Sequence, residues 1–548
     1  MSMDKPIFHG LLHTGKPDLE ALYRVGYIPM VTRAVVAIGL AVMSGAGVSS
    51  ATAAGSEPYE IFYARPVTEC PINGNGRAYT CATAHGQVGA WSRLASPSGT
   101  ASPEIDIIGT IDGGDTLKLC GNFTYSSRAY NGQMMSPGKP FRGVAGRPVT
   151  ITGDCQDEGR SDEGIIDGEM LESRGVDIRG DYVTLRDLTI KNLKDTGISS
   201  HFGQEVAGTQ ILHVKISHIG AAPGTSRTCI ELNSSSAVIE HVDLADCGGD
   251  GIFIGNGSTG QHHTIVRDVT MRGISSQLNS GDGIQMEPGG GSLTLQRVTV
   301  SKHGTDKACF LVGGVHGSFH IDDVECTAEP GAGPFGGITI EGAQTGSYIH
   351  GAYIHDIPGG TGIYLRASTA AHTGTLDITG SVLSNLQTNL LLGGEHPLAN
   401  IRFHQNTISG GTGYGIWATS TWNPGLFSVR NNIIQSAGYN LLIDGTPLRA
   451  ACDWDSDYNL WSGTGTFLFL GTNYATLAEY VAVSGNDTSS KYADPGFLGP
   501  DDARLSCTSR ARRAGGWWGA ECRDFRGFSC RLPPDIGAHQ FNIQDFAD

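Results

Sequence analysis

Between Leu185 and Ile434 one six-residue pattern, apolar-x-x-apolar-x-apolar, occurs ten times, with leading residues at 185, 211, 239, 266, 295, 321, 349, 378, 403 and 429. Copies read Leu-Arg-Asp-Leu-Thr-Ile from Leu185, Ile-Glu-His-Val-Asp-Leu from Ile239 and Leu-Gln-Arg-Val-Thr-Val from Leu295, at intervals of 25 to 29 residues. A near-constant interval of this size marks a stacked solenoid, whose units bury their apolar faces only against one another. The closing triplets, such as Leu188-Thr189-Ile190 and Val298-Thr299-Val300, alternate with period two and are rich in β-branched residues, which predicts strands. No copy is followed by a helical stretch, so each unit is a coil of short strands and the chain is all-β, a parallel β-helix. In the last copies the fourth position becomes Ser381, Asn406 and Asn432. Stacked polar side chains at sheet spacing predict a hydrogen-bonded ladder there.

A second, shorter strand lies between successive signatures: Gly197-Ile198-Ser199, Cys229-Ile230-Glu231-Leu232, Gly251-Ile252-Phe253-Ile254, Gly283-Ile284-Gln285-Met286, Cys309-Phe310-Leu311-Val312, Gly337-Ile338-Thr339-Ile340, Gly362-Ile363-Tyr364-Leu365 and Gly415-Ile416-Trp417. Aligning them sends one column inward: Ile198, Ile230, Ile252, Ile284, Phe310, Ile338 and Ile363. The alternate column of Ser199, Glu231, Phe253, Gln285, Leu311, Thr339, Tyr364 and Trp417 points out. Its polar residues gather toward one end and two of its aromatic residues toward the other, as in a sugar-binding groove.

Composition agrees with this architecture: 79 of 548 residues are Gly and 17% are charged, which suits many tight turns. Near the start, Met30-Val31-Thr32-Arg33, an apolar run from Ala34 to Met43 and Ala51-Thr52-Ala53 form the three regions of a signal peptide. Residues 1–54 therefore read as a misassigned start, with Met30 as the true one, followed by a leader ending at Ala53 or Ala54. The apolar run is too short to span a bilayer. Export agrees with an even number of cysteines, twelve. Cys70/Cys81 and Cys120/Cys155 are candidate staples, Cys229 and Cys247 lie on neighbouring coils, and Cys507, Cys522 and Cys530 crowd the C-terminus; the pairing stays open. Cys229 and Cys309 share a column but stand about three coils, roughly 14 Å, apart, beyond disulfide reach. With no Cys-x-x-Cys pair, a zinc site has little support.

Without residues 1–54, which hold four Lys/Arg and three Asp/Glu, 33 basic residues face 51 acidic ones, a net charge of −18. Nucleic acid is thereby excluded as a partner, and an acidic polymer would need local Arg, Lys or a bound cation to offset repulsion.

Gly113-Gly114-Asp115-Thr116-Leu117-Lys118-Leu119-Cys120, Gly146-Arg147-Pro148-Val149-Thr150-Ile151-Thr152-Gly153 and Gly164-Ile165-Ile166-Asp167-Gly168 resemble the opening coils of bacterial right-handed parallel β-helix proteins of the pectate-lyase-like superfamily. Asp455-Ser456-Asp457-Tyr458-Asn459-Leu460, Ala493-Asp494-Pro495-Gly496-Phe497 and Pro534-Asp535-Ile536-Gly537-Ala538 are similar to their ends. The resemblance implies a right-handed, secreted solenoid, with an N-terminal capping region and first coils over 55–165 and repeats over 166–451. An open solenoid end exposes apolar rungs and strand edges, so residues 452–548 are expected to form a C-terminal cap, with a short helix at Leu477–Val483 and Tyr480 beside it. It speaks less to chemistry, because the superfamily holds lyases, hydrolases, epimerases and proteins of unknown activity.

On the Gly-Ile face, Asp250, Asp282 and Lys307 stand at the turn entering the short strand, and Glu287, Glu341 and Arg366 stand just after it. Coils are about 4.8 Å apart, so Glu231, Asp250 and Asp282 form a carboxylate row, suited to a Ca²⁺ ion or to a glycosidase pair. Gly-Asp-Gly is equally a turn sequence in which Asp caps backbone, and Arg366 has Glu341 as a ready partner. Most histidines do not share columns and read as surface residues; His303 lies in the loop that delivers Lys307.

Three functions follow. A polysaccharide lyase would use Lys307 as base, with calcium on Glu231, Asp250 and Asp282, and with Gln285, Glu287, His303, Tyr364, Arg366 and Trp417 holding further sugar units. Nearby acids raise a lysine pKa, so that mechanism requires the acids to be occupied by the cation. A glycoside hydrolase would use two of the carboxylates, although Gly249-Asp250-Gly251 lacks the paired Asp of the polygalacturonase branch. A non-catalytic carbohydrate-binding solenoid is the third. All three expect a monomer outside the cell, with an extracellular polysaccharide as partner and no membrane contact once the leader is removed.

Overall fold

The computed structural model describes residues 59–541 apart from single positions and short segments, the longest being 92–110, 125–132, 136–142, 158–163, 201–204, 221–226, 256–262, 276–280, 368–373, 445–452 and 518–522. The expected leader lies outside the described residues. Among them, no helix is long and apolar enough to cross a membrane.

The signatures stack in register. Leu185, Ile211, Ile239, Val266, Leu295 and Ile321 pair in succession as parallel partners, and Ile349, Ile378, Phe403 and Val429 continue the column. The short strands form a second column, from Ile198 through Ile230, Ile252, Ile284, Phe310 and Ile338 to Ile363, each at most 1% exposed. All of these pairings are parallel, as in a right-handed β-helix; an apolar cluster runs along the inside of the coils, and a second, smaller one of Ile433, Leu460, Leu505, Ala511 and Ile536 lies against the returning C-terminal segment.

Each signature bends at its third residue. Asp187, His213, His241, Asp268, Arg297, Asp323, Gln405 and Asn431 all have φ between 52° and 59°, and Gly351 and Gly380 take the same place in their coils. The left-handed conformation costs an ordinary residue roughly 1–2 kcal/mol, which explains the preference for Asp, Asn and His there. The imidazoles of His213 and His241 stack on this turn, with centroids 4.8 Å apart.

The polar column forms an asparagine ladder. The Asn432 carboxamide oxygen accepts from Asn406 N at 2.8 Å, and its nitrogen donates to Phe403 O at 2.8 Å. Asn459 does the same for Asn432 N and Val429 O, and Asn406 for Ser381 N and Ile378 O. All three asparagines are fully buried.

Disulfides join Cys70–Cys81, Cys120–Cys155, Cys229–Cys247 and Cys309–Cys326. Cys530 is also disulfide-bonded, whereas Cys507 is a free, exposed thiol. Cys452 and Cys522 fall outside the described residues.

Beyond the last regular rung, a helix spans Leu477–Ser484, opened by a Thr476–Glu479 capping box and closed by Gly485 in the left-handed region. Its Tyr480 is fully buried, stacks on Phe467 at 5.1 Å and accepts from Trp454 Nε1 at 2.9 Å. The chain then runs back along the bend column. Gly516 exchanges hydrogen bonds with the Asn431 side chain, Gln405 Nε2 donates to the carbonyls of Asp535 and Gly537, and Ala538 N donates to Thr407 Oγ1.

Candidate functional site

The outward column of the short strands runs from Asp177 through Ser199, Glu231, Phe253, Gln285, Leu311, Thr339, Tyr364 and Leu391 to Trp417. Glu231 and Trp417 are seven coils apart, roughly 34 Å at sheet spacing. Glu231 is half-buried, and among the described residues no hydrogen bond reaches its carboxylate. Burial raises its pKa; Arg174 opposes this, while Asp195, Asp250 and Asp177 add to it.

Asp250 and Asp282 enter the adjoining strands and cap the following coil. Asp250 Oδ1 accepts from Asp282 N, and Asp282 Oδ1 accepts from Ala308 N, each at 2.7 Å. The Gly-Asp-Gly turn role is thus fulfilled across coils rather than within one. Burial raises both pKa values, that of Asp282 to about 7. Asp282 is 0% exposed, and its Oδ2 is buried without a hydrogen-bond partner among the described residues.

Lys307 is exposed, with φ 62°, and its charge lowers the pKa of both Asp250 and Asp282. Glu231 feels Asp250, and Asp250 feels Glu287, so Glu231, Asp250, Asp282, Glu287 and Lys307 form one electrostatic group. Gln285 Nε2 donates to Glu287 Oε1 at 2.8 Å. His303 instead faces Glu329 at 3.7 Å, and Arg366 pairs with Glu341 at 3.5 Å. Tyr364 and Trp417 are half-buried at the far end of the face. Trp417 lies 4.8 Å from Tyr414, which stacks on Tyr439 at 5.8 Å and 9°.

Several residues of this face escaped the sequence reading. Asp177 is buried under Ser199 Oγ at 3.1 Å and paired with Arg179 at 2.7 Å. Tyr414 and Tyr439 lie two positions before Ile416 and Leu441 of the inward column. Lys302 is 0% exposed: its Nζ donates to Asp306 O at 2.8 Å and lies 4.6 Å over the Phe335 ring. Burial lowers its pKa to about 8, against the pull of Asp282, Asp306 and Asp250. The signal was available, since Val298, Val300 and Lys302 continue one inward alternation.

On the bend column, ligand atoms of Glu240, His241 and Asp268 lie within 4.8 Å of one another. Arg267 already pairs with Glu240 at 2.7 Å and Arg297 with Asp268 at 2.6 Å, so the acid charge there is offset.

A family model described as a right handed beta helix region matches residues 168–324. Among curated proteins no sequence matches. Solved structures similar to this chain include a mannuronic acid specific polysaccharide family 6 lyase from human gut microbiota, at 16% identity over 70% of this chain and 87% of that one, with a TM-score of 0.41. A pectate lyase, Pel9A, is 16% identical over 89% of this chain and 98% of its own, with a TM-score of 0.37. An α-1,3-glucanase of Streptomyces thermodiastaticus is 13% identical over 77% and 72%, with a TM-score of 0.30.

Proposed function

We propose that the chain is a secreted, monomeric, carbohydrate-active β-helix protein that cleaves a uronate-containing polysaccharide by β-elimination on the Gly-Ile face. The observation that carries this reading is an exposed ammonium, Lys307, set among acids whose pKa values burial raises, Glu231 and Asp250, on a face that continues to the Tyr414, Trp417 and Tyr439 rings. Elimination needs a base for the proton beside the uronate carboxylate and positive charge to offset that carboxylate as the enolate-like species forms. Lys307 takes the proton, and Arg174 beside Glu231 adds positive charge at the same end. The aromatic rings offer flat apolar surfaces to sugar faces.

The acids fit calcium in part. Among the described residues no hydrogen bond reaches the Glu231 carboxylate, and Asp250, although it accepts from the Asp282 amide, and Glu231 are half-buried oxygen donors on adjoining coils, of the kind a hard cation takes. Asp282 lies fully below the surface and does not fit a groove-bound ion. When bound by Glu231 and Asp250, calcium supplies positive charge to the substrate carboxylate.

The test is a panel of uronate polymers and neutral glucans, assayed for unsaturated products and for reducing ends, with and without chelator. Unsaturated ends are expected from a uronate polymer, and Lys307→Ala is expected to lower the rate on the order of a hundredfold. Full activity in that variant would remove Lys307 as base. The raised carboxyl pKa values of Glu231 and Asp250 also suit a general acid, so reducing ends without unsaturation would favour a glycoside hydrolase. Trp417 fluorescence changes without any cleavage would leave a binding protein.

A further inference from the structure

Two buried charges grip one turn from either side. Lys302 Nζ holds the carbonyl of Asp306 at 2.8 Å, and Asp282 Oδ1 holds the amide of Ala308 at 2.7 Å. Between them Asp306 and Lys307 stand in the left-handed region, at φ 58° and 62°. Neither is Gly, and consecutive left-handed residues of this kind persist only where the surroundings over-determine them. The next coil completes the grip: Asp306 N donates to Pro334 O at 3.0 Å, and Gly336 N donates to Lys307 O at 2.7 Å. Every contact falls on the turn's backbone, which leaves the Lys307 side chain exposed.

A buried lysine is an expensive way to fill this space. Methionine has nearly the same length and no ammonium to desolvate, so the charge at 302 is explained by the partners it serves. Those partners are the Asp306 carbonyl, the Phe335 ring at 4.6 Å and, electrostatically, the carboxylates of Asp282, Asp306 and Asp250. We propose that Lys302 is a positioning residue: its buried ammonium, held on the Asp306 carbonyl, locks the turn that presents Lys307, while Asp282, buried and committed to the Ala308 amide on the other side of that turn, is removed from any cation site in the groove. The benefit of presenting Lys307 rests on the lyase reading; the locking of the turn and the assignment of Asp282 do not.

Hydrogen exchange read by mass spectrometry tests the lock. In Lys302→Met, segment 303–310 and the Gly336 amide are expected to exchange on the order of tenfold faster than in the unaltered protein, with the strands at Ile252 and Ile416 unchanged. Unchanged exchange in 303–310 overturns the proposal. Uniform acceleration along the solenoid overturns it too, since Lys302 would then be only a general core residue.

Calcium chloride titrated calorimetrically into the unaltered protein and into Asp282→Asn, which keeps the acceptor for Ala308 N, tests the second half even if Lys302→Met fails to fold. Identical isotherms are expected, and a tenfold loss of affinity in Asp282→Asn overturns the assignment. An unaltered protein that takes up no calcium agrees with the proposal and removes the metal from the proposed function. Where elimination is measurable, Lys302→Met should lower kcat with KM unchanged. Full activity in Lys307→Ala together with a loosened turn in Lys302→Met would sink the lyase reading alone.

Discussion

Replacing Asn432 with Leu tests whether the asparagine ladder holds the late coils together. The side chain is fully buried and makes two bonds to backbone: it accepts from Asn406 N at 2.8 Å and donates to Phe403 O at 2.8 Å. Leucine fills a similar volume and excludes water, so both backbone groups stay buried and unpaired. At about 1–3 kcal/mol for each stranded group, the loss is roughly 2–6 kcal/mol, less about 1–2 kcal/mol returned by the added apolar surface. A net loss near 3 kcal/mol means that the Asn406 amide should exchange with deuterium on the order of a hundredfold faster, at about 1.4 kcal/mol per tenfold. Amides of the early coils, such as Ile211 and Ile239, should keep their protection, because solenoid coils couple mainly to their neighbours. Acceleration below about fivefold, equivalent to less than about 1 kcal/mol, would refute the reasoning and make the ladder a passive stack.

Ile284 is 1% exposed in the middle of the inward column, so Ile284→Asp should yield no folded protein by circular dichroism, whereas Ile284→Val should cost about 1 kcal/mol. His404 is buried against Ser428 Oγ at 2.8 Å, and burial lowers its pKa from 6.5 to about 4. The unfolded chain therefore binds the proton more readily, stability should fall as pH drops from 6.5 toward 4, and His404→Gln should flatten that limb in thermal melts. The other sign applies to Asp282, raised from 3.8 to about 7, whose contribution makes stability fall as pH rises across that window. Lys302, lowered from 10.5 to about 8, makes stability recover as pH rises from 8 to 10.5, and Lys302→Met should abolish that alkaline recovery in thermal melts.

The period of the signatures was enough to read the fold, because a solenoid repeats its whole environment every coil and each copy votes for the same strands. The inward column from Ile198 to Ile363 followed from alternation alone. The candidate site was legible only as a set of positions. Register placed Glu231, Asp250 and Lys307 on one face, but the side on which an Asp at a coil corner spends its carboxylate depends on the amide offered by the next coil, which no single-coil pattern contains. Asp282 shows this: its oxygen goes to Ala308 N, and the side chain is buried. Lys302 continues the inward alternation of Val298 and Val300, but a charged residue type at the end of a strand carries the opposite, solvent-facing signal. The segment from Gly516 to Ala538 carries no periodicity, and its docking partners lie as far as 132 residues away in sequence.

That returning segment gives the molecule an order of assembly. Its contacts with Gln405, Thr407 and Asn431, and its passage beside Gly351 and Gly380, where Phe525 O and Arg523 O lie 3.7 and 3.6 Å from the places a Cβ would take, need several finished coils as a landing surface. Coils can stack one upon another from local contacts, but the groups at Gly516, Arg523, Phe525 and Asp535 to Ala538 find their partners only once the coils carrying them have closed, as a latch does after a door. Because the latch spans several coils at once, the coils of Gln405, Thr407 and Asn431 are tied to one another by it as well as by their own strand pairing. The stack of units thereby gains, over these coils, a brace that only a finished surface can receive.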